Sequence, residues 1–197
     1  DLSDMPASIR FAHFPDSPIG MIYSGPHFSN GNPLNKTSRS ECTINSDYDT
    51  IDLTQIPETY LQRSNYHPAC ALDEYRNRVP LTPWGTKCID SFRVIMRNMF
   101  NQSGERTLLA CLVPPKTGHV HAVYEIQLKD TELTVLLAGY MSSLCYDLYI
   151  KATGKGSGGM GVIGSFPIVE TKEKLSIVSR TLLLNCLTSY YATLWEI

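Results

Sequence analysis

From residue 91 to 126 the chain alternates. Phe92, Val94 and Met96 are separated by Arg93, Ile95 and Arg97, a period of two that predicts a strand with one face more polar than the other. Asn101, Gln102, Ser103 and Gly104 follow as turn residues. The run 107–113 is continuously apolar after Thr107, which fits a strand buried on both faces, and Pro114 and Pro115 stop it. Residues 119–124 predict a third strand, so this stretch reads as a mostly antiparallel sheet. The period then changes. Leu133, Leu136, Leu137, Tyr140, Met141, Leu144 and Leu148 recur at three- and four-residue spacing and predict a helix over 131–152. Asp130 or Thr131 is placed to cap its start and Gly154 to end it. Residues 162–169 predict another strand. Leu175, Val178, Leu182, Cys186, Tyr190 and Leu194 predict a second helix over 172–195.

The first 80 residues are different. They are rich in Pro, Asn, Ser and Asp, and only residues 19–23 and 50–53 read as short strands. Gly25 with Pro26, and Gly31 with Asn32 and Pro33, are turn chemistry. The expected architecture is an α+β unit: a loop-rich N-terminal lobe over 1–80, then a core over 81–197 with an antiparallel sheet and two main C-terminal helices. There is no internal repeat and no low-complexity linker. The first residue is Asp1, and Trp195, Glu196 and Ile197 end the chain inside an apolar pattern, so both ends read as those of an excised fragment.

Composition narrows the class. Apolar residues make up 43% and charged residues 18% of the 197, a globular profile. No stretch reaches the roughly 18–20 apolar residues that a membrane helix needs, and residues 1–10 lack the flank and apolar run of a signal peptide. The six cysteines, at 42, 70, 88, 111, 145 and 186, form no C-x-x-C pair and match no zinc spacing. They read as reduced, buried thiols of a cytoplasmic protein. The net charge of −2 argues against a simple electrostatic nucleic-acid binder, so any DNA-reading surface must be local.

Candidate chemistry is sparse. Residues 154–159 match G-x-G-x-x-G, but a dinucleotide site needs a strand before the motif and a helix straight after it; here a predicted helix precedes it and Pro167 follows soon. A flexible loop whose amides and Lys155 meet a phosphate is the functional reading, and a plain surface loop the bland one. His119 and His121 would share one strand face, yet no third metal ligand is evident. No nucleophile or acid–base constellation stands out. Arg93 and Arg97, on the polar face of the predicted strand, and Arg106 beyond the turn invite two readings: buried arginines paired with carboxylates, or arginines facing guanine edges or phosphates.

Several strings occur in a familiar order: Gly25, Pro26, His27 and Phe28 with residues 32–36; residues 50–54 and 65–70; Phe92 and Arg93 with Arg97; residues 105–110; Val113, Pro114 and Pro115 with His119; and the 148–162 helix-to-glycine-loop stretch. Together they resemble the C-terminal target-recognition region of adenine-specific DNA methyltransferases of type IIG restriction–modification and related phage-defence systems, from about Gly25 to the end. The resemblance implies double-stranded DNA as partner. It also implies an upstream methyltransferase domain in the same chain that binds S-adenosylmethionine and holds a flipped adenine with an Asn-Pro-Pro-Tyr-type motif. Neither Asn32, Pro33 and Leu34 nor the string around Pro114 and Pro115 reproduces that motif, so the fragment is expected to recognise DNA without catalysis and without a cofactor of its own. Lys36, Arg39, Lys151 and Lys155 are the expected backbone contacts, with Arg93 and Arg97 divided between base reading and structural pairing. The competing expectation is a scaffold domain of a defence complex that does not touch DNA.

Overall fold

The computed structural model describes residues 8–197, so the first seven residues of the N-terminal lobe lie outside the described residues. The chain opens with β1 (Ser8–His13), β2 (Ile22–Tyr23), β3 (Lys36–Ser38), β4 (Tyr48–Thr50) and β5 (Ser64–Pro68), followed by α1 (Leu72–Arg78). These strands make only two-stranded pairs: β1 with β5 and β3 with β4, both antiparallel. The lobe is loop-rich, in line with its Pro, Asn and Ser content.

The core begins with β6 (Arg93–Arg97), β7 (Ala110–Val113), β8 (Gly118–His119) and β9 (Val123–Ile126). β6 is the centre of a three-stranded antiparallel sheet in the order β7, β6, β9. Ile95 stands opposite Cys111 on one side and Glu125 on the other. The stretch 119–124 is therefore not one strand. It splits into β8, which pairs in parallel with β2 of the N-terminal lobe, and β9, which pairs with β6.

Helices α2 (Thr131–Met141), α3 (Leu144–Thr153), α4 (Met160–Ile163) and α5 (Lys174–Asn185) complete the chain with a terminal 3-10 segment, Ser189–Glu196. Asp130 caps α2 by accepting the Leu133 amide at 2.9 Å. The expected helix over 131–152 is broken after Met141, with a bend of 67°. Two serines cause it. Ser142 Oγ donates back to the Ala138 carbonyl at 2.8 Å, and Ser143 starts α3 as an extended cap whose hydroxyl accepts the Tyr146 amide. Gly154 closes α3 in the left-handed conformation, φ 64°, which suits glycine. The strand expected over 162–169 does not form. α4 and an extended segment stand there, held by Tyr146 Oη on the Pro167 carbonyl and by Tyr140 Oη on the Val169 carbonyl. No single helix among the described residues is long and apolar enough to cross a membrane.

The expected helix over 172–195 stops at Asn185 for a long-range reason. Asn185 Oδ1 accepts the Leu112 amide at 2.9 Å, Tyr191 Oη donates to the Leu112 carbonyl at 3.1 Å, and the Gly31 amide donates to the Ala110 carbonyl at 2.8 Å. β7 is an edge strand, and these three groups occupy its outward backbone, where another chain would otherwise pair.

Both faces of the sheet are buried. Val94, Met96, Leu108, Ala110 and Leu112 pack against Val135, Ala138, Val178 and Leu182 of the helical layer. On the opposite face Ile95, Cys111, Val113 and Val123 pack against Met21, Tyr23 and Phe28. The N-terminal lobe thus covers the face that the alternation marks as more polar. All six cysteines are free; Cys42, Cys111 and Cys186 are buried, whereas Cys145 is exposed.

Candidate nucleic-acid interface

Arg93 and Arg97 leave the same face of β6 at opposite ends. Arg93 is 1% exposed. Its Nη1 meets Glu125 Oε2 at 3.0 Å, and its Nη2 donates to the Thr117 carbonyl and hydroxyl at 2.6 and 3.0 Å. Burial pulls its guanidinium below the ordinary range, and Glu125 opposes that pull. For Glu125, burial raises the carboxyl, but the hydrogen bonds and charges of His119 and Arg93 outweigh burial and hold it below the usual range. Arg93 is thus the paired, interior arginine. Of the two roles expected for this pair of arginines, base reading and structural pairing, the surroundings of Arg93 are those of pairing.

Arg97 has no carboxylate partner among the described residues. Its Nη2 donates to the Phe28 carbonyl at 2.9 Å and its carbon sits 5.8 Å from the Phe28 ring centre, while its buried Nε bonds to nothing. Burial pulls this guanidinium down too, with no carboxylate to oppose it and only the Cys111 thiol acting the other way. Arg97 lies in a cleft of about 300 Å³ together with Arg10, Ser24, Asn45, Tyr48 and Asn65. No Asp or Glu is among the described residues lining it. An isolated desolvated charge costs several kcal/mol unless something compensates it; in the free protein Arg97 is compensated only by a carbonyl and a ring.

Hydrogen bonds tie the cleft wall together. His27 is fully buried; its Nδ1 accepts the Ser24 amide at 2.9 Å, so its Nε2–H donates to the Arg63 carbonyl at 3.0 Å. Burial pushes its pKa down to about 4, against the opposing carbonyl of Arg63, and keeps it neutral. Ser24 Oγ is also within 2.9 Å of Tyr48 Oη, which fixes both side chains at the cleft.

The four expected lysine and arginine contacts in polar segments are dispersed. Arg39 is exposed and bonded to Asp49 at 2.7 Å, so its charge is locally neutralised. Lys36 is half-buried on β3 and acts on the same Asp49 carboxylate. Lys151 is tied to the carbonyls of Gly104 and Glu105 at 3.1 and 3.0 Å and lies 3.8 Å from Asp147. Arg106 is likewise structural, donating to the Ser142 and Ser143 carbonyls. Lys155 is exposed on the glycine loop, and its ammonium has no partner among the described residues.

That loop lies beside the cleft. The Phe100 amide donates to the Gly156 carbonyl, the Gly158 amide donates to the Asn98 carbonyl, and Met99 bridges to Ser157. Met99 also lines the cleft. A side chain at Gly158, a non-glycine position of the motif, would meet the buried Met96 and Phe100, whereas the motif glycines Gly154, Gly156 and Gly159 have open space around them. The helix after the loop is only the four-residue α4. His119 and His121 do not converge: His119 Nε2 lies 3.4 Å from Glu125, and His121 is exposed outside any strand. Among the described residues no three His, Cys, Asp or Glu side chains are grouped to hold a metal ion.

Of the expected contacts, Arg97 lines the cleft and Lys155 belongs to the loop whose Ser157 bridges to the cleft residue Met99. Arg10, Asn45 and Asn65 were not expected. Their signal is faint in sequence, since Arg10 is a single basic residue on β1, Asn45 sits in a turn and Asn65 is one polar residue of the short β5. No protein-family model, no curated protein and no solved structure matches the chain.

Proposed function

We propose that this chain is a non-catalytic DNA target-recognition domain, part of an adenine-specific DNA methyltransferase of the restriction–modification or phage-defence type. The cleft of Arg10 and Arg97 and the Lys155 loop beside it would face double-stranded DNA. The observation that supports this best is Arg97: a largely buried guanidinium without a carboxylate, opening onto an acid-free cleft that holds a second arginine. Such a charge is suited to an anionic partner, and DNA carries one at every phosphate. In this reading S-adenosylmethionine and the flipped adenine belong to an upstream methyltransferase domain of the same protein. A local cationic site also reconciles DNA binding with a net charge of −2.

A scaffold domain of a defence complex, without DNA contact, is the second reading. Its support is the outer surface of the helical layer, where Leu144, Leu148, Met160 and Leu175 are each more than two-thirds exposed.

Fluorescence anisotropy of the chain with labelled duplex DNA over a salt series separates the two. The first reading expects salt-dependent binding. Lys155→Ala should weaken binding to all sequences alike and lower the salt slope by about one, as for a single phosphate contact. Absence of duplex binding at low salt would remove the DNA-recognition reading and leave the scaffold.

A further inference from the structure

The cleft lining mixes cationic, polar and apolar side chains. Arg10 and Arg97 line it with Asn45 and Asn65, and Ile44, Met99 and Val120 contribute apolar surface. Ile44 is 62% and Met99 74% exposed, an unfavourable display for two large side chains at the mouth of one cavity. We propose that this cleft takes one nucleoside monophosphate unit, with the phosphate on Arg10 and Arg97 and the base against the apolar surface.

Size and chemistry both support a single unit. At about 300 Å³ the cleft lies at the lower end of small-ligand pockets, which span roughly 300–1,000 Å³. Arg97 spends one Nη on the Phe28 carbonyl and has no other hydrogen-bond partner among the described residues, so it retains donors for phosphate oxygens. Arg10 is exposed, and its single described side-chain bond, to the Thr43 carbonyl, leaves it free to give the remaining donors. Asn65 is 3% exposed and its amide is engaged by the Tyr48 hydroxyl, so it fixes the polar lining of the cleft beside the two arginines. A phosphate alone would leave the apolar surface uncovered, and a nucleoside alone would leave both arginines without an anion.

The unit could come from a free nucleotide or from an unpaired nucleotide in a DNA strand. The second source rests on the DNA-recognition reading; the first does not. Calorimetric titration of the chain with dAMP, deoxyadenosine and inorganic phosphate tests the site itself. The expected result is saturable dAMP binding at least tenfold tighter than either fragment, weakened at least tenfold by Arg97→Gln and by Arg10→Gln. Arg10 is exposed, so its variant retains the fold even if Arg97→Gln does not. Equal binding of dAMP and phosphate, or dAMP binding indifferent to both substitutions, overturns the proposal. A duplex with one central unpaired adenine, compared with the fully paired duplex, assigns the source: tighter binding of the unpaired form places the unit in a strand. If dAMP binds and neither duplex does, the nucleotide site stands and the DNA-recognition reading falls. If the duplexes bind and dAMP does not, the reverse holds.

Discussion

Four residues apart on one face of one strand, Arg93 and Arg97 live in opposite electrostatic surroundings. The register of β6 explains the difference. Glu125 pairs with Ile95, so it shares a face with Arg93 and reaches it diagonally across the strands. The residue opposite Arg97 is Val123, which offers no charge. Thr117, brought in by the turn before β8, completes the shell of Arg93, whereas Arg97 has only the Phe28 carbonyl and ring. One end of the strand is a closed ion pair inside the protein. The other is an open charge at a cleft. A side chain of the same chemistry therefore serves structure at one position and is available for binding at the other.

Removing each arginine in turn should give the largest contrast. Arg93→Met strips Glu125 and the Thr117 carbonyl of their buried partner, and the expected loss is about 2–4 kcal/mol in urea unfolding. Arg97→Met deletes a desolvated charge together with one carbonyl bond, and stability should change by less than about 1 kcal/mol. Equal losses at the two positions would mean that Arg97 has a structural partner after all.

Acid should distinguish the two ends next. His27, which braces the Ser24 wall of the Arg97 cleft, has its pKa lowered to about 4. The unfolded chain binds a proton at this histidine near its ordinary value, about 6.5, and the folded chain does not. Stability from this group is therefore complete above the unfolded value and falls as the pH drops from there towards 4, by on the order of 3 kcal/mol. Denaturant midpoints measured between pH 7 and pH 4.5 should decline, and His27→Gln should flatten the decline. A midpoint that stays level in the wild-type chain would contradict the neutral, buried assignment of His27.

The smallest effect sharpens the comparison from the other side. Glu125→Gln leaves Arg93 without its anion, held by Thr117 and a neutral amide, and so brings the two ends closer in kind. The expected cost near pH 7 is about 1–2 kcal/mol. Because the folded carboxyl is held below its ordinary range, this contribution is present above the unfolded value and is lost as the pH falls through the folded one. The gap between wild type and Glu125→Gln should therefore narrow below about pH 4.5. A gap that widens there would reverse the assigned shift.

Much of the local structure was legible. Period-two alternation located β6, the apolar run located β7, and the leucine spacing located the helical layer, because each of these is dictated by side-chain geometry within one element. Asp130 and Gly154 were legible as caps for the same reason. The break at Ser142 and Ser143 was missed, since the apolar spacing of α2 continues into α3 as though the helix were unbroken. The end of α5 was missed because Asn185 stops there to serve Leu112, a residue 73 positions away. The strand expected over 162–169 failed because a short apolar run is ambiguous between strand and helix; α4 takes its first residues, and Ile168 and Val169 lie exposed.

By itself the sequence determined that this chain is α+β, that β6 carries two arginines on one face, and that charge must be concentrated locally if DNA is to be bound. Only the tertiary structure decided which way that face points and what meets it. The N-terminal lobe, whose own strands are too short to form a core, is folded over the sheet through Met21, Tyr23 and Phe28 and turns a polar strand face into an interior one. Strand register then set Glu125 within reach of Arg93 and Val123 opposite Arg97. Register and lobe placement depend on contacts tens of residues apart, and local periodicity carries no information about them.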